Sequence, residues 1–358
     1  MKSLFLAAGM VGALMLAFIV PAATEAQDAV IAFGPKNASR INTVLIRGST
    51  DIGAFAPILK HFSERVPDLK ITYEERSTND IYRLAEDACK TGKGGADLLI
   101  SSSIDQQIKL VNDGCAQAHS SPGTEALPAW SNWRNEVFGL TYEPAVMVYN
   151  RQLLASDEVP LSRFDLIDLL RPAGNRFIGR IATYDIEESG LGYLFAFADS
   201  QQATTFGRLI EALGRSKVVA TCCSAEIIDA VAEGKYLIAY NLLGSYALAR
   251  AARDKRIGVI APTDYTLILS RAALVPKRAA NPDAAKQFID FALSEAGRSI
   301  LSDASLIVSL GNTMNQGAQN LHATPPNLRP IAFTPALLVG LDRQKRKLFV
   351  RRWHASIK

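Results

Sequence analysis

Two hydrophobic periods alternate along the chain. Short, nearly continuous apolar runs are separated by longer stretches in which apolar residues recur every three or four positions. Val44-Leu45-Ile46-Arg47 is the first short run, read as a buried strand, and Gly48-Ser49-Thr50-Asp51 breaks it. Residues 53–65 then set Phe55, Ile58, Leu59 and Phe62 on one helical face, with Ser49, Thr50 or Asp51 as the cap. Leu69-Lys70-Ile71-Thr72-Tyr73 predicts a second strand, 80–90 a helix, and Ala96-Asp97-Leu98-Leu99-Ile100 a third strand ending in Ser101-Ser102-Ser103, before a helix over 104–113. Strands alternating with helices at this interval predict a parallel, doubly wound α/β sheet.

The pattern changes twice further on. Phe138-Gly139-Leu140-Thr141-Tyr142-Glu143-Pro144 leads into Val146-Met147-Val148-Tyr149-Asn150, and Ile257-Gly258-Val259-Ile260-Ala261-Pro262 leads into Tyr265-Thr266-Leu267-Ile268-Leu269. Each is a strand interrupted by proline, as suits a segment passing between lobes. Two such crossings predict an inserted lobe over 145–263 and a discontinuous first lobe from 40–144 plus 264–331, with a hinged cleft between them. Asn281-Pro282 opens a helix over 282–294, the proline sitting in its first turn.

Chemistry gathers where strands stop. Arg180-Ile181-Ala182-Thr183-Tyr184 runs into Asp185-Ile186-Glu187-Glu188-Ser189-Gly190-Leu191-Gly192-Tyr193, and Leu237-Ile238-Ala239-Tyr240-Asn241 runs into Leu242-Leu243-Gly244-Ser245-Tyr246. At such places backbone N–H groups and hydroxyls converge on open space, so an anion can be held without a cationic side chain. Helix capping is the plainer role of Gly48-Ser49-Thr50 and Ser101-Ser102-Ser103, but two such ends beside a cleft, together with Ser189-Gly190, point to binding. The candidate ligand-binding residues are Ser49, Thr50, Asp51, Ser102, Tyr184, Ser189, Gly190, Ser224, Asn241, Ser245 and Tyr246. Tyr240, alternating with Ile238 and Leu242, reads as core. Asp185, Glu187 and Glu188 read as acceptors for sugar hydroxyls or as a solvated cluster. His61, His119, His322 and His354 show no metal spacing. There is no nucleophile elbow, no phosphate-binding loop ending in Gly-Lys-Ser/Thr and no His-Glu-x-x-His. No catalytic residue, metal or cofactor is expected.

Tyr184-Asp185, Ser189-Gly190-Leu191-Gly192-Tyr193, Glu233-Gly234-Lys235, Tyr240-Asn241 and Gly244-Ser245-Tyr246 together resemble the periplasmic solute-binding proteins of ABC importers, in the ferric-iron group that includes sugar-phosphate binders and the phosphoglycerate transport regulator. The resemblance covers roughly 42–300. It implies the two-lobed type II periplasmic binding protein fold, each lobe a doubly wound sheet with the ligand cleft between. It also implies a monomer that delivers its solute to an ABC permease in the inner membrane or, as in the phosphoglycerate regulator, signals to a sensor histidine kinase. Ferric binders of this group use adjacent tyrosines of the second lobe as phenolate ligands. Here the matching place reads Gly244-Ser245-Tyr246-Ala247, with one tyrosine missing. The expected ligand is therefore a small anionic solute, phosphorylated or carboxylated, ahead of ferric iron; a secreted hydrolase is the remaining reading.

Length and composition add bounds. At 358 residues, 48% hydrophobic and 21% charged, the chain can bury two cores. Residues 4–20 are almost wholly apolar behind Lys2, and Ala22, Ala23 and Ala26 follow, so residues 1–26 read as a signal peptide and the protein as periplasmic. An uncleaved anchor is the alternative. In an exported chain the four cysteines can pair. Cys89 and Cys115 end successive predicted helices and are expected to bond; adjacent Cys222 and Cys223 read as small buried residues, since a ring between neighbours is strained. Asp342 to Lys358 holds seven Lys or Arg against one Asp, a net of +6, which leaves −2 of the formal +4 for everything before it. The basicity is local to a tail over 332–358 and argues against a nucleic-acid partner. Ala336, Leu337, Leu338, Val339, Leu341, Leu348 and Phe349 predict an apolar tail face lying back on the first lobe, with Lys345 to Lys347 and Arg351-Arg352 outward.

Overall fold

The fold is that of a computed structural model, which describes residues 29–36, 42–308 apart from 173, 175 and 203, 321–322 and 327–357. The apolar leader and the expected cleavage point lie outside the described residues.

Two sheets organise the chain. In the first, Thr43–Gly48 lies between Lys70–Glu75 and Leu98–Ser101 and runs parallel to both. Val30–Phe33 joins one side antiparallel, and Ala272–Pro276, Val137–Gly139 and Asn132–Trp133 extend the other, also antiparallel. In the second, Ile181–Tyr184 lies between Val219–Thr221 and Ile238–Leu243, parallel to both, and Glu143–Asn150 follows antiparallel. Helix crossovers make the central strands parallel, whereas the outer strands are reached by hairpins and by chain returning from the other lobe. Glu143–Asn150 and Ile238–Leu243 are buried throughout, which explains why they read as continuous apolar runs rather than alternating ones.

The two interrupted strands lie side by side where the lobes meet. Glu143–Asn150 pairs first with Thr266–Leu269, through Glu143 and Pro144, and then with Ile257–Ile260. At this junction the fully buried Arg271 and Glu143 form an ion pair at 2.9 Å. Ser245 donates to the other carboxylate oxygen of Glu143, and Arg271 reaches the Ser49 carbonyl at 3.3 Å. A buried charge pair persists only when its remaining lone pairs and protons are also satisfied, and these partners come from both lobes.

Helix ends follow local chemistry. Ser77 caps Thr78–Thr91 by accepting from the Asp80 N–H, and the helix stops at Gly92, whose φ of 74° suits a residue without a side chain. Asn281 caps Pro282–Leu293 through the Ala284 N–H, with Pro282 in the first turn. Cys89 and Cys115 are joined, with their Cα atoms 5.6 Å apart, tying the end of Thr78–Thr91 to the chain just before Ala116–Gln117.

Two expectations change. Cys222 and Cys223 are not separate buried thiols but a disulfide between neighbours, only partly covered. The tail does not lie on the first lobe alone, and Arg346, expected outward with Lys345 and Lys347, turns inward over the Tyr193 ring. Pro335–Leu337 and Leu338–Leu341 rest on the first-lobe helix Ile104–Asn112, whereas the helix Arg343–Ile357 packs on the second-lobe helix Phe206–Arg215. Phe349 meets the rings of Tyr193, Phe197 and Phe206, and Trp353 and Ile357 enter the second-lobe core. The cause is a break at Asp342 (ψ 129°). It separates the apolar run at 336–341 from a helix whose own apolar face is Phe349, Trp353 and Ile357.

Candidate functional site

A cleft enclosing about 200 Å³ lies between the lobes. The first lobe supplies Ser49 and Asp51, which follow Thr43–Gly48; Glu75, the last residue of Lys70–Glu75, with Arg76, Ser77 and Thr78 leading into the next helix; and Ser102, which follows Leu98–Ser101. The second supplies Tyr184, Glu188, Ser189 and Leu191 around the start of Gly190–Gln202, Cys222 to Ala225 at the start of Ser224–Ala232, and Leu243 and Tyr246. Nearly every wall residue sits at the carboxyl end of a strand or in the first turn of the helix after it, the position where open α/β sheets present ligand-binding groups.

The wall is polar and preorganised. Ser49 Oγ accepts the Ser102 N–H at 3.0 Å and lies 3.3 Å from Ser102 Oγ. Tyr184 OH and Ser224 Oγ hydrogen-bond each other. Glu75 accepts the Ile52 N–H at 2.7 Å. Burial raises the Glu75 pKa above the usual carboxylate range, the Ile52 N–H opposes that rise, and the neighbouring Asp51 adds to it. Arg76 brings a guanidinium to the wall, 3.6 Å from Glu74. The helix Ser224–Ala232 begins at Cys223 without a side-chain cap, so hydroxyl-bearing Ser224 and the first-turn amides open the second-lobe wall. Burial pushes Tyr184 up to about 12 and Tyr246 well above the ordinary phenol value, and the nearby Arg271 only partly offsets either shift.

The lobes touch directly around this space. Tyr246 OH donates to Asp51 Oδ1 at 2.8 Å and accepts the Asp51 N–H at 3.1 Å. Asn79 Nδ2 donates to the carbonyls of Glu187 and Glu188 at 3.0 and 2.9 Å, and the Gly190 N–H donates to Thr78 Oγ1 at 3.0 Å. These bonds join the two lobes across the cleft.

Of the residues marked in the sequence, Ser49, Asp51, Ser102, Tyr184, Ser189, Ser224 and Tyr246 line the cleft. Four do not. Thr50 is fully buried behind it, its backbone bonded to the Tyr73 hydroxyl. Gly190 is pressed against Ser103, Gln106 and Thr78 of the first lobe. Asn241, at φ 65°, turns its amide to Asp199 at 2.9 Å, and Ser245 is held by Glu143. Tyr240 is core, donating to Asp199 at 2.6 Å. Glu75, Arg76, Ser77 and Thr78 were missed although they follow a predicted strand just as Ser49 and Ser102 do; the same strand-end rule identifies them. Among the described residues one group of possible metal ligands comes together, Cys222, Cys223 and Glu226, and its two sulfurs are bonded to each other.

Residues 43–304 match the family of bacterial extracellular solute-binding proteins. The chain belongs to this family. A solved structure described as the substrate-binding protein of an ABC transporter from Agrobacterium tumefaciens is 34% identical with a TM-score of 0.83, covering 94% of this chain and 100% of its own. AfuA, a periplasmic binding protein from Actinobacillus pleuropneumoniae solved with exogenous fructose-6-phosphate, shares the fold at 20% identity and a TM-score of 0.70, covering 88% of this chain and 98% of its own. Iron-bound HitA from Pseudomonas aeruginosa shares it at 17% and 0.65, covering 88% and 99%. A search of curated proteins finds no match. For a solute-binding family the features above have a direct sense: two lobes, a polar cleft and bonds across its mouth are the parts needed to close on a small molecule.

Proposed function

We propose that this protein is the periplasmic solute-binding component of an ABC importer, closing on a small, hydroxyl-rich solute that carries a phosphate or carboxylate and presenting it to an inner-membrane permease. The observation that carries the reading is the composition of the wall, where hydroxyls from both lobes surround three carboxylates and one guanidinium. Asp51, Glu75 and Glu188 are acceptors for solute hydroxyls, and three carboxylates beside one cation disfavour a purely anionic ligand such as free phosphate. Arg76 and the uncapped first turn of Ser224–Ala232 are the places for the anionic group. The fructose-6-phosphate bound to AfuA belongs to this chemical class.

Ferric iron fits less well. A ferric site needs several anionic oxygens, and the two cleft tyrosines are engaged as neutral phenols, Tyr184 with Ser224 and Tyr246 with Asp51, with pKa values raised by burial. A thermal-shift screen of sugar phosphates, their parent sugars, sugar acids and ferric citrate tests the reading. At least one phosphorylated or carboxylated sugar should raise the melting temperature more than its uncharged parent. Stabilisation by ferric citrate alone, with a phenolate-to-iron absorption band, would replace this reading with an iron carrier.

A further inference from the structure

The surplus positive charge of the chain lies in its tail, and four of the seven tail cations share one face of one helix. Along Arg343–Ile357, at 100° per residue, Arg346, Phe349, Trp353 and Ile357 turn inward; Arg346 lies over the Tyr193 ring, 5.0 Å from its centroid, and Trp353 and Ile357 are buried. The opposite face is ordered rather than mixed. Gln344, Leu348 and Ala355 run down its middle, Lys347 and Arg351 form one flank, and Lys345 and Arg352 form the other. All seven are exposed, Leu348 by 52%. None of the four flanking cations has an acidic partner among the described residues, whereas several exposed cations on other helices do, as Arg83 with Asp80 and Lys90 with Glu86.

We propose that this face is a docking surface for anionic phospholipid headgroups. An apolar centre between cationic flanks is how an interfacial helix meets a bilayer, its long side chains reaching phosphates while the apolar residue enters the headgroup boundary. The face is convex, so a flat, deformable, negatively charged partner fits it better than a protein partner needing shape complementarity. Its place on the molecule is also informative. His354, beside the Lys347 and Arg351 flank, pairs with Glu187 at 2.7 Å, and the next two residues, Glu188 and Ser189, line the cleft. A helix resting on the bilayer therefore sets the cleft mouth near the membrane, where a permease would receive the solute. That consequence rests on the importer reading; the lipid contact does not.

Co-sedimentation of the exported protein with phosphatidylcholine vesicles, with and without phosphatidylglycerol, tests the proposal. Binding should require phosphatidylglycerol and fade at high salt, because the attraction is screened beyond about 10 Å at 0.1 M ionic strength. The quadruple variant Lys345→Gln, Lys347→Gln, Arg351→Gln, Arg352→Gln should partition at least about tenfold less with an unchanged melting temperature, since none of these side chains is buried. In a Leu348→Trp variant the added indole should shift its emission to the blue on vesicle binding. Equal binding to both vesicles, or a quadruple variant that sediments like the parent, would overturn the proposal. Binding to neither would also overturn it and leave the face to an acidic protein partner.

Discussion

Asp105 shows how much one buried side chain can do. It lies at the start of Ile104–Asn112, fully enclosed, accepting from Ser103 Oγ at 3.0 Å. Burial raises its pKa to about 6, with the Ser103 hydroxyl and the tail residue Arg346 pulling the other way. The folded chain therefore holds this proton more tightly than the unfolded chain does. Its effect is absent below the ordinary carboxylate range, and stability falls as the pH rises from about 4 to about 6, staying lower above that. Asp105→Asn should thus stabilise the protein by about 2 to 3 kcal/mol at neutral pH and by little near pH 4, as read from urea unfolding at the two values; an equal effect at both would contradict it. At this scale the sequence was legible in alternate positions. Ser49 and Asp51 face the cleft, while Thr50 between them is buried, its backbone N–H and carbonyl both bonded to the Tyr73 hydroxyl. The strand-end rule selects the end of an element and leaves the direction of each side chain to packing. Asn241 and Ser245 fell to Asp199 and Glu143, distant acidic partners that no local pattern announces.

Elements were easier to read than their partners. Strands, helices and caps follow from periodicity and capping chemistry, and the Cys89–Cys115 bond follows from two successive helix ends. The Cys222–Cys223 bond ran against local strain, and the expectation of one lobe for the tail passed over Asp342, which accepts the Gln344 and Lys345 N–H groups and so starts a new helix. Gly190 was read as a ligand contact and proved to be a contact between elements. A side chain there would come within 2.7 to 2.8 Å of Ser103 Oγ, Gln106 Nε2 and Thr78 Oγ1, so the first turn of Gly190–Gln202 approaches the first lobe only because it is bare. Gly190→Val should wedge the lobes apart, weakening solute binding by about tenfold or more through the lost closed population. Small-angle scattering should show a larger radius of gyration, and because one buried apolar cluster runs from Ile104 and Ile108 to Leu191 and Phe195 across the two lobes, the melting temperature should fall as well. A variant as compact as the parent would show that closure does not depend on this contact.

For the whole molecule, two lobes joined by paired strands place the carboxyl ends of both sheets opposite one another, and the cleft, its hydroxyls and the bonds across its mouth follow from that arrangement. Closing costs ordering free energy, and a ligand repays it only by contacting both lobes. Hydrogen bonds to a charged oxygen are worth about 1.5 to 3 kcal/mol and neutral ones about 0.5 to 1.5, so losing one wall hydroxyl from either lobe should lower affinity to a similar degree. Calorimetric titration of Ser49→Ala and Ser224→Ala, one from each lobe, with the sugar phosphate or sugar acid that most stabilises the parent, tests this most directly. Both variants should bind more weakly, by about two- to tenfold where the lost bond is neutral and about ten- to a hundredfold where it reaches a charged oxygen, with one solute per chain and the parent's melting temperature. Parent-like affinity in both would mean that the solute is held somewhere other than between the lobes.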